Sequence, residues 1–269
     1  MIAEEKISVT ERKVQDNEKT WRKIIKATSK AIEDFNLIEE GDRIMVCMSG
    51  GKDSYVMLDV LKHLKSKAPI HFELIPVHLN QGHPGFQVQI LEKYLEKQNL
   101  EFHIINENTY KIVKDKLKPG QTTCSLCSRL RRGILYTWAQ KLGLNKIALG
   151  HHRDDLIETV LMNMFFSGQL KTMPVMLNSD DGKNKVIRPL AYAAEEDITE
   201  LAGQNKYPIL PCTLCSAQEN LQRNRIKQLM SDQEKLFPGS KASILKSLKT
   251  VVPSHLLDTS LALDKDIHR

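Results

Sequence analysis

Two kinds of chemistry are written into this chain, phosphate handling and thiolate coordination. Residues 49–54 read Ser-Gly-Gly-Lys-Asp-Ser, directly after an apolar run and directly before a helical pattern. Gly50 and Gly51 let the backbone approach an anion closely, the helix start offers unpaired N–H groups, and the Ser49 and Ser54 hydroxyls add donors. Lys52 supplies a charge able to follow a leaving pyrophosphate. Asp53, a carboxylate beside phosphate, makes sense with magnesium between the two. The spacing lacks the four-residue insert of a GxxxxGK[ST] loop, which excludes an ordinary kinase or GTPase. A second stretch, Gly150-His151-His152-Arg153-Asp154-Asp155, opens another helical pattern. Asp154 and Asp155 can share a metal with a triphosphate; capping their own helix is the competing explanation. His151 and His152 are weaker candidates, since single histidines often serve as polar filler.

Four of the five cysteines fall in two CxxC pairs, Cys124/Cys127 and Cys212/Cys215. That is metal or redox spacing, and a reducing compartment suits it better than a secreted disulfide framework. Zinc would close such a site with four thiolates, whereas an iron–sulfur cluster held by three leaves one iron open. Spacing alone leaves both alternatives standing. Arg129, Arg131 and Arg132 follow the first pair, where they lower thiolate pKa values and suit phosphate or adenylate charge. Cys47, inside an apolar run, reads as a small buried hydrophobe.

The elements that must position these groups alternate. Apolar runs at 43–48, 72–79, 102–106, 146–149 and 185–190 read as buried strands; helical patterns lie at 55–65, 87–98, 128–141 and 156–166. Strand alternating with helix predicts an α/β, Rossmann-type parallel sheet, with ligands at the carboxyl ends of its strands. Trp21, Ile24, Ile25, Thr28, Ile32 and Phe35 predict an N-terminal amphipathic helix ended by Gly41, and residues 178–184 a hairpin-like loop. Three parts are expected: a helical segment at 1–40, a nucleotide-binding core at 41–205, and a basic, cysteine-containing extension at 206–269 packed on the core. Apolar residues at 41% and charged residues at 27% exclude a disordered tail protein, and the net charge of +6 permits an anionic partner without demanding one. The N-terminus has no apolar h-region and no run is long enough to span a bilayer, so a cytoplasmic, membrane-free protein is expected.

The SGGKDS loop resembles the signature SGGxDS of the PP-loop ATP pyrophosphatase superfamily, whose adenine-nucleotide alpha hydrolase-like members cleave ATP between the α and β phosphates. His78, in Val-His-Leu-Asn at 77–80, stands where such folds contact the adenosine. Together with CSLCSRLRRG, GHHRDDLIETVLMN, MPVML, VIRPLAY, PCTLCSAQENLQR and VVPSHLLD, the loop resembles the tRNA 2-thiocytidine synthetase family over about residues 20–258. The resemblance implies ATP-dependent thiolation of cytidine 32 in the tRNA anticodon loop, where the target base can be splayed out. It further implies an oxygen-sensitive 4Fe-4S cluster on three cysteines, with sulfur coming from a cysteine desulfurase. Carried onto this chain, the cluster ligands are Cys124, Cys127 and Cys215, with Cys212 in reserve. The catalytic set is Lys52, Asp53, Asp155 and Arg131; ATP falls to Ser49, Gly50, Gly51, Lys52, Asp53, Ser54, His78, Gly150 and Asp154. A homodimer is the expected assembly. The chain ends soon after VVPSHLLD, so a reduced C-terminal RNA contact is expected relative to longer members. A 2-thiouridine synthetase is the nearest alternative, although terminal zinc-ribbon cysteines are missing. A zinc nucleic-acid-binding module would leave SGGKDS without purpose, and a small-molecule adenylating amidotransferase would leave the cysteines unexplained.

Overall fold

Alternation along the first strand decides how the sheet is buried. In β1 (Arg43–Cys47), Ile44 and Val46 face one helical layer while Met45 faces the other, and all three are fully buried. A strand apolar on both faces belongs in the middle of a covered parallel sheet. The computed structural model, which describes residues 9–116, 123–179, 182–210 and 218–262, places it there. β1 pairs in parallel with β2 (Glu73–Asn80), Cys47 opposite Val77, and with β4 (Lys146–Ala148), Ile44 opposite Lys146. With β3 (His103–Asn106), β5 (Met176–Asn178) and β6 (Lys185–Ile187) the order is β3-β2-β1-β4-β6-β5.

One face is covered by α1 (Val9–Phe35), α2 (Lys52–Lys67) and α7 (Glu195–Asn205), the other by α5 (Thr123–Lys141) through Leu135 and Ala139. α3 (Val88–Glu96), α4 (Thr109–Lys116) and α6 (Arg153–Ser167) complete the crossovers. α8 (Gln218–Leu236) and α9 (Ser240–Ser247) pack against α6, followed by a short 3-10 turn and α10 (Thr259–Ala262). Lys241 of α9 reaches Asp154 at the start of α6, Nζ to Oδ1 2.8 Å, which ties the C-terminal helices to the core.

Four expectations need correction. The first helix begins at Val9, well before Trp21, because nothing between them breaks a helix. α5 begins at Thr123, so Cys124 and Cys127 both lie within it. α4 and α7 were not expected, although Ile198, Leu201 and Ala202 of α7 carry the helical spacing and are buried. The sheet is not wholly parallel: β5 pairs antiparallel with β6, and its three exposed residues are too few to show a period. The loop predicted at 178–184 falls between these two strands, except that Asn178 ends β5; residues 180 and 181 lie outside the described residues.

Candidate nucleotide and thiolate site

The loop after β1 is held by its own serines and by a distant segment. Gly50 has φ +84°, a left-handed conformation that suits glycine, and a β-carbon there would lie 3.2 Å from Leu210 Cβ. The Leu210 N–H donates to the Gly50 carbonyl at 2.9 Å. Ser49 Oγ accepts from the Gly51 N–H at 3.2 Å, and Ser54 Oγ donates to the Gly51 carbonyl at 2.8 Å. Lys52 then opens α2, so the helix N-terminus faces the loop.

Above this loop, at the carboxyl ends of β1, β2 and β4, lies a cavity of about 580 Å³. Ser49, Gly51, Asp53, Ser54, His78, Gly150, Asp155 and Arg131 all line it, which unites eight predicted residues from four segments. A β-carbon at Gly150 would meet the Asp53 backbone at 3.3 Å, a tight contact that glycine avoids where the two loops stack. His152 stands between the two carboxylates: its Nε2 is 3.8 Å from Asp53 Oδ1 and 3.5 Å from Asp155 Oδ2. Asp155 also caps α6 reciprocally with His152, its Oδ2 accepting the His152 N–H at 3.0 Å. Capping is therefore part of its role, while its side chain still reaches the cavity.

His78 donates from Nδ1 to the Met48 carbonyl at 2.7 Å, because a carbonyl only accepts. Burial holds its pKa below the ordinary range, so the ring is neutral, with an unpartnered Nε2. Phe86 stacks on it at 5.1 Å. His151, also on the cavity wall, accepts from Arg188 Nε at 3.3 Å; burial and the neighbouring guanidinium hold it neutral.

Three residues predicted for ATP do not line the cavity: Gly50, Lys52 and Asp154. Lys52 Nζ is 2.8 Å from Asp53 Oδ1 and 3.3 Å from Glu195 Oε1. Asp154 is turned away and buried, accepting the Glu195 N–H at 2.9 Å and paired with Arg153 and Lys241. Its partners join α6, α7 and α9. Glu195, Gln81 and Phe86 were missed from sequence, where no local motif marks them, and Arg188 was not singled out although it lies in VIRPLAY. Cys47 also lines the cavity, so packing alone does not describe it; burial pushes its thiol up to about 12, with Arg131 pulling the other way.

Cys127 Sγ lies 3.4 Å from Oε1 of Gln81, itself a cavity residue that also accepts from Thr109 Oγ1 at 3.1 Å. The backbone of Cys124 lies one turn earlier in α5; Cys212 and Cys215 fall outside the described residues. Among the described residues no three His, Cys, Asp or Glu side chains converge as a metal site. The soft thiol of Cys127 at the cavity edge nonetheless fits one corner of an iron–sulfur site. Two acidic side chains in a cavity built for a polyanion fit a divalent cation.

Fold and loop together define a class: PP-loop domains, with which residues 17–234 match. The chain is 55% identical over 251 residues to the tRNA-cytidine(32) 2-sulfurtransferase of Aeromonas salmonicida, covering 93% of this chain and 83% of that protein. Against the protein of the same name from Yersinia enterocolitica it is 53% identical over 264 residues, 98% and 84% of the two chains. The chain belongs to the tRNA-cytidine(32) 2-sulfurtransferase family. Among solved structures it is similar in fold to the U34-tRNA thiolase NcsA from Methanococcus maripaludis with its 4Fe-4S cluster, at TM-score 0.65 and 24% identity over 86% of this chain and 77% of that one. No described helix is long and apolar enough to cross a membrane.

Proposed function

We propose that this chain thiolates cytidine 32 of tRNA at C2, spending ATP to activate the C2 oxygen. One observation carries the reading beyond family membership: Gln81 lines the nucleotide cavity and accepts from the Cys127 thiol, so the cavity and the cysteine helix meet across one side chain. A kinase-type phosphate site would have no use for that junction.

Oxide is a poor leaving group from a pyrimidine C2 carbonyl. The cytidine O2 attacks the α-phosphorus, the bond to the α,β-bridging oxygen breaks, and pyrophosphate departs. A sulfur nucleophile then adds at C2, and AMP leaves with the original oxygen. The N–H groups of the loop and of the α2 N-terminus hold phosphate oxygens, while Asp53 and Asp155 are the carboxylates that would hold Mg2+, which when bound neutralises triphosphate charge. Lys52 exchanges its carboxylate partners for the charge that grows on the pyrophosphate. Arg131 balances adenylate charge, and the neutral His78 ring fixes the β1–β2 end of the cavity through Met48. Cys124, Cys127 and Cys215 are the thiolates that would hold the 4Fe-4S cluster; when bound, it supplies an iron position open to incoming sulfur. The reading includes a cysteine desulfurase as donor, a cytoplasmic location and a homodimer, the last testable by light scattering on the purified chain.

The decisive experiment is thiolation in vitro with anaerobically purified protein, ATP, magnesium, sulfide and tRNA, with iron and acid-labile sulfide measured alongside. Thiolated cytidine at position 32, with one AMP and one pyrophosphate per sulfur, is expected. Thiolated uridine would transfer the chain to the 2-thiouridine reading, and zinc without iron would end the cluster mechanism.

A further inference from the structure

The C-terminal extension brings cations to the phosphate end of the site. On α8, Arg223 and Lys227 are four residues apart and share a face. Lys227 Nζ lies 2.6 Å from Glu195 Oε1, and Arg223 Nε lies 3.6 Å from Glu158 Oε2. Lys52, the residue that ends the phosphate loop, reaches the same Glu195 oxygen at 3.3 Å. Two ammonium groups from residues far apart in sequence thus converge on one carboxylate oxygen. Like charges this close need an anion between them; Glu195 supplies it, with Asp53 Oδ1, 2.8 Å away, as the second partner of Lys52.

We infer that Lys227, with Arg223 beside it, is a further phosphate-binding residue of the reaction, contacting the leaving pyrophosphate together with Lys52, and that Glu195 is the place-holder that pyrophosphate displaces. The inference rests on the ATP-cleaving reading and extends it to the product. A diphosphate carries several charges on several oxygens and can meet Lys52 and Lys227 at once, which a single carboxylate oxygen does poorly. Its displacement by Glu195 would return both lysines to the positions seen here and release the product. Facing this group are Asp53 from α2, His152 beside α6, Asp155 and Glu158 from α6, and Glu195 from α7. That acidic rim keeps the cations from trapping pyrophosphate permanently.

Calorimetric titration with inorganic pyrophosphate and magnesium tests the inference, with AMP as a ligand that lacks the β and γ phosphates. Lys227 is half exposed, so Lys227→Met should fold as the wild type does. It is expected to bind pyrophosphate about tenfold more weakly, the scale of one charge-assisted contact, with AMP unchanged and with Lys227→Arg restoring most of the loss. Glu195→Gln removes the competing anion and is expected to tighten pyrophosphate binding severalfold, where a merely structural ion pair would loosen it. Pyrophosphate binding by Lys227→Met at wild-type strength, or an equal loss for AMP, would overturn the inference. If the wild-type protein binds neither ligand, the ATP-cleaving reading falls and takes this inference with it.

Discussion

The N–H of Leu210 donates to the carbonyl of Gly50 across 2.9 Å, and the Leu210 side chain fills the space that a β-carbon at Gly50 would need. The strand of chain that leads to the second cysteine pair is therefore fastened to the phosphate loop. Its other anchors are Tyr55, whose hydroxyl donates to the Pro208 carbonyl at 2.8 Å, and Tyr207, stacked on Tyr55 at 5.3 Å.

Gly50→Ala should therefore be worse than Gly41→Ala, even though both glycines have φ near +80°. At Gly41 nothing lies within 4 Å of an added β-carbon, so only the left-handed strain of roughly 1–2 kcal/mol applies. At Gly50 the same strain comes with displacement of Leu210. Urea denaturation and ATP binding of the two variants check this; equal losses would show that the Leu210 fastening is immaterial.

The phosphate loop and the cysteines lie on different elements, so their losses should separate. Lys52→Ala is expected to lower thiolation by at least about a hundredfold while keeping iron content. Cys124→Ala, Cys127→Ala and Cys215→Ala should each lose the brown chromophore, and Cys212→Ala should keep most of its iron. If Cys212→Ala and Cys215→Ala both strip the iron, the site is closed by four thiolates and has no open position.

Glu158 gives the protein a pH dependence of stability. Burial, with the Asp155 carboxylate nearby, pushes it up to about 7. The folded state then keeps a proton that the unfolded chain gives up near 4.5, so this contribution is full below that pH and is lost as the pH rises through 7. Glu158→Gln should be more stable than wild type at pH 8, by about 1–3 kcal/mol. His151 runs the other way: burial, reinforced by Arg188, brings it down to about 4, and its contribution is lost as the pH falls from about 6.5. Chemical denaturation from pH 5 to 8 separates the two, and a parallel offset of Glu158→Gln from wild type at every pH would refute the assignment.

At the opposite end of the sheet, Lys146 is 1% exposed and pairs with Asp42 at 2.7 Å and Glu39 at 2.8 Å. Lys146→Met leaves the buried Asp42 without its cation and should cost about 3–5 kcal/mol. Because Lys146 begins β4 and the cavity lies at its far end, thiolation per folded molecule should stay at the wild-type level. A drop in turnover without a drop in melting temperature would contradict this.

Local order carried much of the reading. The SGGKDS run, the Gly150 to Asp155 stretch and the CxxC pairs are contiguous, and backbone conformation and helix starts depend on neighbours in sequence, so the loop, the central strands and eight residues of the cavity wall could be named from the chain alone. α4 escaped because its eight residues give only about two helical turns, and β5 because its three exposed residues show no alternation of burial.

Tertiary structure decided what each charged group faces. Asp154 and Asp155 are adjacent and chemically identical, yet one is buried against Lys241, 87 positions away in the numbering, and the other reaches the cavity. Lys52 meets Glu195 across 143 positions, and Gln81 meets Cys127 across 46. Such pairings arise when a parallel sheet brings the carboxyl ends of its strands together; the energy of a charge depends on distance and burial, neither of which order along the chain encodes.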